Sequence, residues 1–248
     1  MKEVSSKPSR ILVVDDNQYT LRIVQVALEH AGYDSYTVTS GEEGMAFIKA
    51  EGMPHLAIVD YHMPPGMSGF EFARTVHQFS DLPVIMLTAV NEELTIIEGL
   101  EEHAEDYIIK PFNPSELTAR VQRVLKRIGD FAFPLGAVCQ VDERLAINFP
   151  NRQAIIWDKP VSLTPTETKL LYILMRKAGA VITTDYIIRR LWPLEPAFED
   201  RLHVHMHRLR RKIEDKEDKA RPRYIKSERG TGYRFYLKSD QEELPPSS

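Results

Sequence analysis

Asp15, Asp16, Asp60, Thr88 and Lys110 are side chains that could do chemistry together, because each stands at the end of a short apolar run. Clustered carboxylates repel one another and raise each other's pKa unless a cation neutralises them. An oxygen-rich acidic site that keeps some water suits Mg²⁺. A phosphoryl group arriving there would need a nucleophile, and a carboxylate can serve, giving an aspartyl phosphate. Lys110 could act as a point charge on the phosphoryl oxygens, and Thr88 could donate a hydrogen bond. Each residue also has a plain reading. Asp16 or Asn17 could N-cap a helix, Asp60 could open the turn in DYHMPPGMSG, Thr88 could cap a later helix, and Lys110 could be a surface lysine. Taken singly the plain readings win, but together they require five coincidences on one edge.

That edge follows from the order of elements. Ile11–Val14, Tyr36–Val38, His55–Val59, Pro83–Leu87 and Tyr107–Ile109 read as short strands of buried type. A helical stretch follows the first strand, with Leu21, Val24, Leu28 and Ala31 at helix spacing before Gly32, and further helices are expected over residues 41–51, 69–79, 91–102 and 114–127. Apolar strands alternating with amphipathic helices predict an α/β fold with a parallel sheet covered on both faces. In such sheets ligands bind beyond the carboxyl ends of the strands, which is where the five side chains fall.

The chain has 248 residues, 43% hydrophobic and 27% charged, enough for two ordinary globular domains. Its net charge of −4 hides an asymmetry. Residues 1–127 carry 11 basic against 19 acidic residues, a net −8, and residues 128–248 carry 21 against 17, a net +4. Two domains are expected, the second with an anionic partner. The lone cysteine, Cys139, excludes an internal disulfide framework and suits a reducing compartment. No apolar run approaches the ~18 residues of a membrane span, and the polar N-terminus lacks a signal-peptide core. A cytoplasmic protein without membrane contact is expected.

Residues 128–136, with Gly129, Pro134 and Gly136, read as a linker. Short strand-like runs follow at 138–141, 145–148, 154–157 and 161–163. Thr164-Pro165-Thr166-Glu167 is a capping box with proline at the first helical position. A second helix is expected over 184–191 and a third over 199–214, with Leu202, Met206, Leu209 and Ile213 on one stripe and Arg201, Val204, His207, Arg208 and Arg211 facing elsewhere. Arg223–Lys226 and Gly232–Tyr236 read as a hairpin around Glu228-Arg229-Gly230-Thr231. A basic helix beside a basic hairpin can put one element in a major groove and the other on the backbone or in a minor groove, although a charged helix face is more often simply solvated.

With Asp15-Asp16, Asp60 and Met63-Pro64, Leu87-Thr88-Ala89 and Lys110-Pro111-Phe112 in this order, residues 9–127 resemble the receiver domain of two-component response regulators. Leu163–Glu167, the helix Val204–Arg210 and Arg229–Arg234 resemble the winged-helix domain of the OmpR/PhoB subfamily, here over 137–238, leaving 239–248 as a disordered tail. The resemblance implies a (βα)5 flavodoxin-like receiver followed by an α+β winged helix-turn-helix domain. It implies that Asp60 accepts phosphate from a sensor histidine kinase. Mg²⁺ would be held by Asp15, Asp16, Asp60 and the His62 backbone carbonyl, with Thr88 and Tyr107 as the switch pair and Lys110–Pro111 cis. Phosphorylation would drive homodimerisation on a face carrying Glu102, Glu105, Asp106, Glu116, Arg120 and Arg127. Promoter DNA would meet Arg201, His205, His207, Arg208, Arg210, Arg211 and Arg229; residues 192–198 resemble a segment that can meet RNA polymerase, although a plain turn connecting two helices is the safer reading.

Several positions depart from the family's pattern. Gly69 lies nine rather than eight residues after Asp60, as if one residue, Pro65, were inserted beside the site. His103 stands in place of a glycine, and Ile96 in place of an arginine that pairs with the acid at 116. Asp200 stands where some relatives carry arginine, and His203 replaces an aspartate. A phosphorylation-independent DNA-binding regulator, its receiver used as a partner-binding module, is the alternative reading. A small-molecule phosphatase is a third, but nothing in the sequence supplies a substrate cap or a second general acid beside Asp60.

Overall fold

The computed structural model describes residues 8–89, 104–128, 136–193, 196, 198–214 and 222–236. The helix expected over 91–102, with Glu102, most of the linker, part of 192–198 and the tail lie outside the described residues. Contacts divide the chain into two compact units, one of residues 1–76 with 82–128 and one of residues 129–248 with 77–81.

The first unit runs β1 (Arg10–Val14), α1 (Gln18–His30), β2 (Asp34–Val38), α2 (Gly41–Glu51), β3 (Leu56–Asp60), α3 (Gly69–Val76), β4 (Val84–Ala89), β5 (Asp106–Lys110) and α4 (Pro114–Ile128). The strands form one parallel sheet in the order β2-β1-β3-β4-β5. Ile11, Val13, Leu56, Ile58, Ile85, Leu87 and Ile108 bury one face beneath Leu21, Val24 and Leu28 of α1 and Leu117, Val121 and Val124 of α4. The strands are continuous apolar runs because both sheet faces are covered. The first half is thus the flavodoxin-like α/β fold that the alternation predicts.

Among the described residues, the second unit holds two antiparallel sheets and three helices. β6 (Cys139–Gln140), β7 (Leu145–Asn148), β8 (Gln153–Ile156) and β9 (Lys159–Ser162) make a four-stranded meander. Helix α5 (Pro165–Arg176) starts at the capping box, in which the Thr164 hydroxyl accepts from the Glu167 N–H and the Glu167 carboxylate accepts from the Thr164 N–H. β10 (Val181–Thr183), α6 (Thr184–Leu191), α7 (Glu199–Ile213), β11 (Ile225–Glu228) and β12 (Gly232–Phe235) follow. Leu202, Met206, Leu209 and Ile213 of α7 are buried, as their spacing predicts.

The hairpin β11–β12 is joined by β10 into a three-stranded sheet in the order β10-β12-β11. The sequence reading did not foresee β10. Its pairing depends on Gly232, where an added Cβ would stand 1.9 Å from the Ile182 carbonyl oxygen. A glycine is needed there for close backbone approach, not for turn geometry.

Candidate functional site

The strand order reverses between β1 and β3, which opens a crevice at their carboxyl ends. The register pairs Val14 with Val59 and Asp60 with Leu87, so Asp15 and Asp60 stand level and Thr88 lies one residue beyond. Asp60 is the last residue of β3 and Lys110 the last of β5, while Thr88 lies just inside β4. The Lys110 Nζ sits 2.7 Å from Asp15 Oδ2 and 2.9 Å from Asp60 Oδ2. Asp15 is wholly buried and Asp60 nearly so.

Asn17, not Asp16, caps α1, its Oδ1 accepting from the Tyr19 and Thr20 N–H groups. Asp16 is therefore left to the pocket. One carboxylate oxygen from each of Asp15, Asp16 and Asp60 lies within 4.8 Å of the others. Burial pushes the Asp60 carboxyl above its ordinary range; Lys110 opposes that shift, and the charges of Asp15 and Asp16 add to it. For Lys110 burial favours the neutral amine, but its bonds to Asp15 and Asp60 outweigh burial and hold its pKa up. Three carboxylates against one ammonium leave an excess of negative charge among hard oxygen donors. Such a donor set fits Mg²⁺.

The loop between β3 and α3 is fixed at both ends. The Tyr61 N–H donates to the Leu87 carbonyl at 2.9 Å, and the Gly69 N–H donates to the Tyr61 carbonyl at 3.0 Å. A Cβ at Gly69 would stand 2.1 Å from the Asp60 carbonyl oxygen. The Met67 N–H donates to Glu42 Oε1 at 2.8 Å, and Ser68 exchanges hydrogen bonds with Glu71 at the start of α3. Met63 is buried, whereas Pro64, Pro65 and Gly66 are exposed. The Pro64-Pro65-Gly66 tip of the loop is thus turned to solvent. The Lys110–Pro111 bond is cis, as the resemblance implied, and so is Pro64–Pro65. Thr88 is 2% exposed, whereas Tyr107, its suggested switch partner, is 53% exposed. His62 lies two residues past Asp60, with an exposed side chain.

Of the residues expected on a dimer face, Glu105, Asp106, Glu116, Arg120 and Arg127 pair with one another inside the chain. Arg120 bonds Asp106 at 3.0 Å and Glu116 at 2.7 Å, and Arg127 pairs with Glu105. Arg123, which the sequence reading did not single out, bonds Asp106 at 2.5 Å.

In the second unit, Arg201, Val204, His207, Arg208 and Arg211 are exposed on α7, and Arg229 is exposed in the hairpin turn beside Gly230 with φ +72°. The Arg201 guanidinium also lies 4.4 Å from the Trp192 ring centre. Two residues depart from the open placement expected of groove contacts. Arg210 donates to the Ile225 carbonyl at 2.9 Å and to Ser227 Oγ at 3.0 Å, so it ties α7 to β11. His205 turns its ring to within 5.7 Å of Trp192; burial lowers its pKa, and the Arg208 and Arg201 charges act in the same direction. Both follow from neighbours distant in sequence.

A second group braces the same helix. Buried Arg144 donates to the Ile213 carbonyl at 2.6 Å and to the Glu214 carbonyl at 3.1 Å, taking up carbonyls at the α7 C-terminus. The Glu214 carboxylate accepts the Arg223, Tyr224 and Ile225 N–H groups. Asp142 accepts from Arg223 at 2.7 Å and from the Tyr224 hydroxyl at 3.1 Å. The turn at Asp142-Glu143-Arg144-Leu145 carries no sequence signal for this, because the partners of Arg144 lie about 70 residues away.

A parallel sheet with a lysine-bridged acidic pocket, followed by a basic helix beside a three-stranded wing, defines a receiver joined to a winged-helix domain. Residues 11–122 match the family described as "Response regulator receiver domain", and residues 158–235 match "Transcriptional regulatory protein, C terminal". The DNA-binding response regulator MtrA of Mycobacterium leprae is 35% identical over 226 residues, covering 91% of this chain and 97% of that protein. The probable transcriptional regulator ycf27 of Porphyra purpurea is 36% identical over 239 residues, covering 94% and 96%. The solved structure of DrrB, a Thermotoga maritima OmpR/PhoB homolog, is 30% identical with a TM-score of 0.44, covering 92% and 99%. The chain belongs to the DNA-binding response regulators of OmpR/PhoB type, transcriptional regulators of two-component systems. Among the described residues no helix is long and apolar enough to cross a membrane.

Proposed function

We propose that Asp60 accepts a phosphoryl group from a phosphohistidine of a sensor histidine kinase, and that the phosphorylated protein dimerises and binds promoter DNA. A carboxylate oxygen of Asp60 attacks phosphorus, the phosphorus–nitrogen bond breaks, and the histidine of the kinase leaves. Asp15, Asp16, Asp60 and the His62 backbone carbonyl would hold Mg²⁺, which when bound supplies positive charge to the carboxylates and the phosphoryl oxygens. Lys110 shifts its hydrogen bond from Asp60 to a phosphoryl oxygen, and Thr88 donates its hydroxyl to another. Tyr107, exposed at rest, then turns inward behind Thr88.

That change repacks the face around β5 and α4, where Glu105, Asp106, Glu116, Arg120 and Arg127 can exchange partners within the chain for partners on a second copy. Two copies of α7 then engage adjacent half-sites, so two weak readers act together. Arg201, His207, Arg208 and Arg211 reach the major groove and Arg229 the minor groove, while Arg210 and His205 set the pitch of the helix against its neighbours. RNA polymerase is the further partner, met through residues 192–198. The protein works in the cytoplasm and is not an enzyme in its own right.

The observation that carries this reading is one ammonium bridging two buried carboxylates, with a third beside them, at the strand-order switch point. Treating the wild type and Asp60→Ala with a small phosphodonor and Mg²⁺ tests it by intact mass, sedimentation and DNA binding. The wild type is expected to gain one phosphoryl adduct, associate more strongly and bind DNA more tightly. An adduct that survives in Asp60→Ala would sink the assignment.

A further inference from the structure

Helix α7 carries Glu199, His203 and His207 at successive four-residue steps, and all three line one cleft of about 610 Å³. Side chains four apart on a helix are neighbours, about 5–6 Å between Cβ atoms. Two histidines at this spacing can direct ring nitrogens at one ion, as in helical zinc sites. Both rings are exposed to the cleft, and His203 also meets the edge of Tyr233 at 6.4 Å. The opposite wall is the wing, including Glu228 and Tyr233.

The donor types in the cleft narrow what it takes. Asp185, Glu199, Glu228, Arg210 and Arg229 line it; Asp185 pairs with Arg189, Glu228 pairs with Arg234, and the Arg210 guanidinium is held by the Ile225 carbonyl and Ser227. Imidazoles select borderline transition metals over Mg²⁺. We propose that His203 and His207 bind a divalent transition ion of the Zn²⁺, Co²⁺, Ni²⁺ or Cu²⁺ class in the cleft between α7 and the wing. The two imidazoles supply the protein ligands, and water completes the coordination. Among the described residues, three such ligand atoms converge within 4.8 Å only at Asp15, Asp16 and Asp60, so the His pair makes a reversible, sensing type of site and not a structural one. The ion ties up His207, which the function proposed above places in the major groove, and so it opposes DNA binding. This last consequence rests on the DNA-binding function proposed above.

The test titrates untagged full-length protein with Co²⁺ and with Zn²⁺, with excess Mg²⁺ present to occupy the acidic pocket, followed by calorimetry and by Co²⁺ absorption. The wild type is expected to bind one ion. His203→Gln and His207→Gln should each weaken binding by about tenfold or more, as loss of one of two ligands does. His205→Gln, whose ring lies on Trp192, should bind the ion as the wild type does. Equal binding by the wild type and the His203→Gln/His207→Gln double variant would overturn the site, as would loss in His205→Gln alone. In a second arm, anisotropy of a labelled DNA duplex is followed with and without Zn²⁺. Zn²⁺ should weaken DNA binding by the wild type but not by His203→Gln. Metal binding without any effect on DNA would overturn the antagonism and leave the site. Failure to bind DNA even without metal would count against the DNA-binding reading instead, with the calorimetry unaffected.

Discussion

The acidic pocket and the basic helix α7 handle charge in opposite ways. In the pocket, charges point inward, and a single lysine serves two carboxylates that are almost wholly removed from water. On α7 the charges point outward, and Arg208 and Arg211 are exposed. Buried charges interact strongly and are costly to leave without a partner. Exposed charges are screened, and each contributes little to folding. Chemistry at Asp60 therefore depends on a few positions held to a fraction of an ångström. Recognition of a phosphate backbone depends on the number of cations, and it tolerates the loss of one.

Gly69 gives the sharpest way to break this contrast, because it supports the pocket without carrying charge. A methyl group there meets the Asp60 carbonyl oxygen at 2.1 Å, and that carbonyl is part of the sheet. Gly69→Ala is expected to cost about 3 kcal/mol, at the upper end for overpacking, and to slow phosphorylation of Asp60. Hydrogen exchange of the β3 and β4 amides measures the first effect and intact mass the second. Both tryptophans, Trp157 and Trp192, lie in the second unit, so tryptophan fluorescence should report no change there. A Gly69→Ala variant of wild-type stability would show that the loop yields, and that the pocket is less rigid than its geometry states.

Lys110→Met comes next. It leaves Asp15 and Asp60 without their shared cation and is expected to cost about 2–3 kcal/mol in Mg²⁺-free buffer, below the usual 3–5 for breaking a buried pair because Lys110 is partly exposed. Added Mg²⁺ should recover part of the loss, since a ligand that binds only the folded state stabilises it. Thermal melts with and without Mg²⁺ check this. If Mg²⁺ stabilises neither protein, the three carboxylates do not act as a cation site.

The same rule can be tested inside the second unit, where one charged pair does face inward. Glu167 is 2% exposed at its side chain and accepts from Lys212 at 2.6 Å. Burial works to raise its pKa, but the Lys212 bond and the Thr164 N–H outweigh burial and hold it below the ordinary glutamate range. A lowered carboxylate pKa contributes stability that is present above the unfolded value, about 4.3, and is lost as pH falls through the folded value. Glu167→Gln keeps an oxygen for the capping box but loses the charge. It is expected to cost about 1–2 kcal/mol at neutral pH, and to remove much of the acid-side loss of stability below about pH 4.3. Urea titrations followed by tryptophan fluorescence at several pH values measure both. An acid limb as steep as the wild type's would show that the Lys212–Glu167 pair contributes nothing.

What the sequence made legible follows the same division between local and distant causes. The alternation of strands and helices, the capping box at Thr164 and the buried stripe of α7 all come from patterns within about 15 residues. The convergence of Asp15, Asp60, Thr88 and Lys110 was also legible, because parallel topology sends every strand's end to one edge. The missing pieces depend on distant partners. β10 is three residues long and becomes a strand only because Gly232 admits it beside β12. Arg210 looks like its exposed neighbours in sequence, yet it is turned inward by the Ile225 carbonyl. Glu42 holds the loop beside Asp60 from another helix, and nothing near Glu42 in sequence marks it for that task. The departure at Pro65 was visible by counting residues, but its place at the exposed tip was not.

The smallest effect on folding is expected where the charges face outward. Arg208→Ala removes an exposed guanidinium from α7, and its stability should stay within about 0.5 kcal/mol of wild type. Its DNA affinity should nonetheless fall at low salt, and the slope of log K against log salt should shrink by about one if Arg208 meets a phosphate. Arg210→Ala should behave differently although it lies two residues away. It removes the bonds to Ile225 and Ser227, so it should loosen the wing and lower stability by about 1–2 kcal/mol, whatever it does to DNA binding. Fluorescence-monitored urea unfolding and anisotropy over a salt series separate the two. If Arg210→Ala folds as well as Arg208→Ala and changes only the salt slope, then Arg210 belongs with the outward charges, and the line drawn between bracing and reading on this helix is in the wrong place.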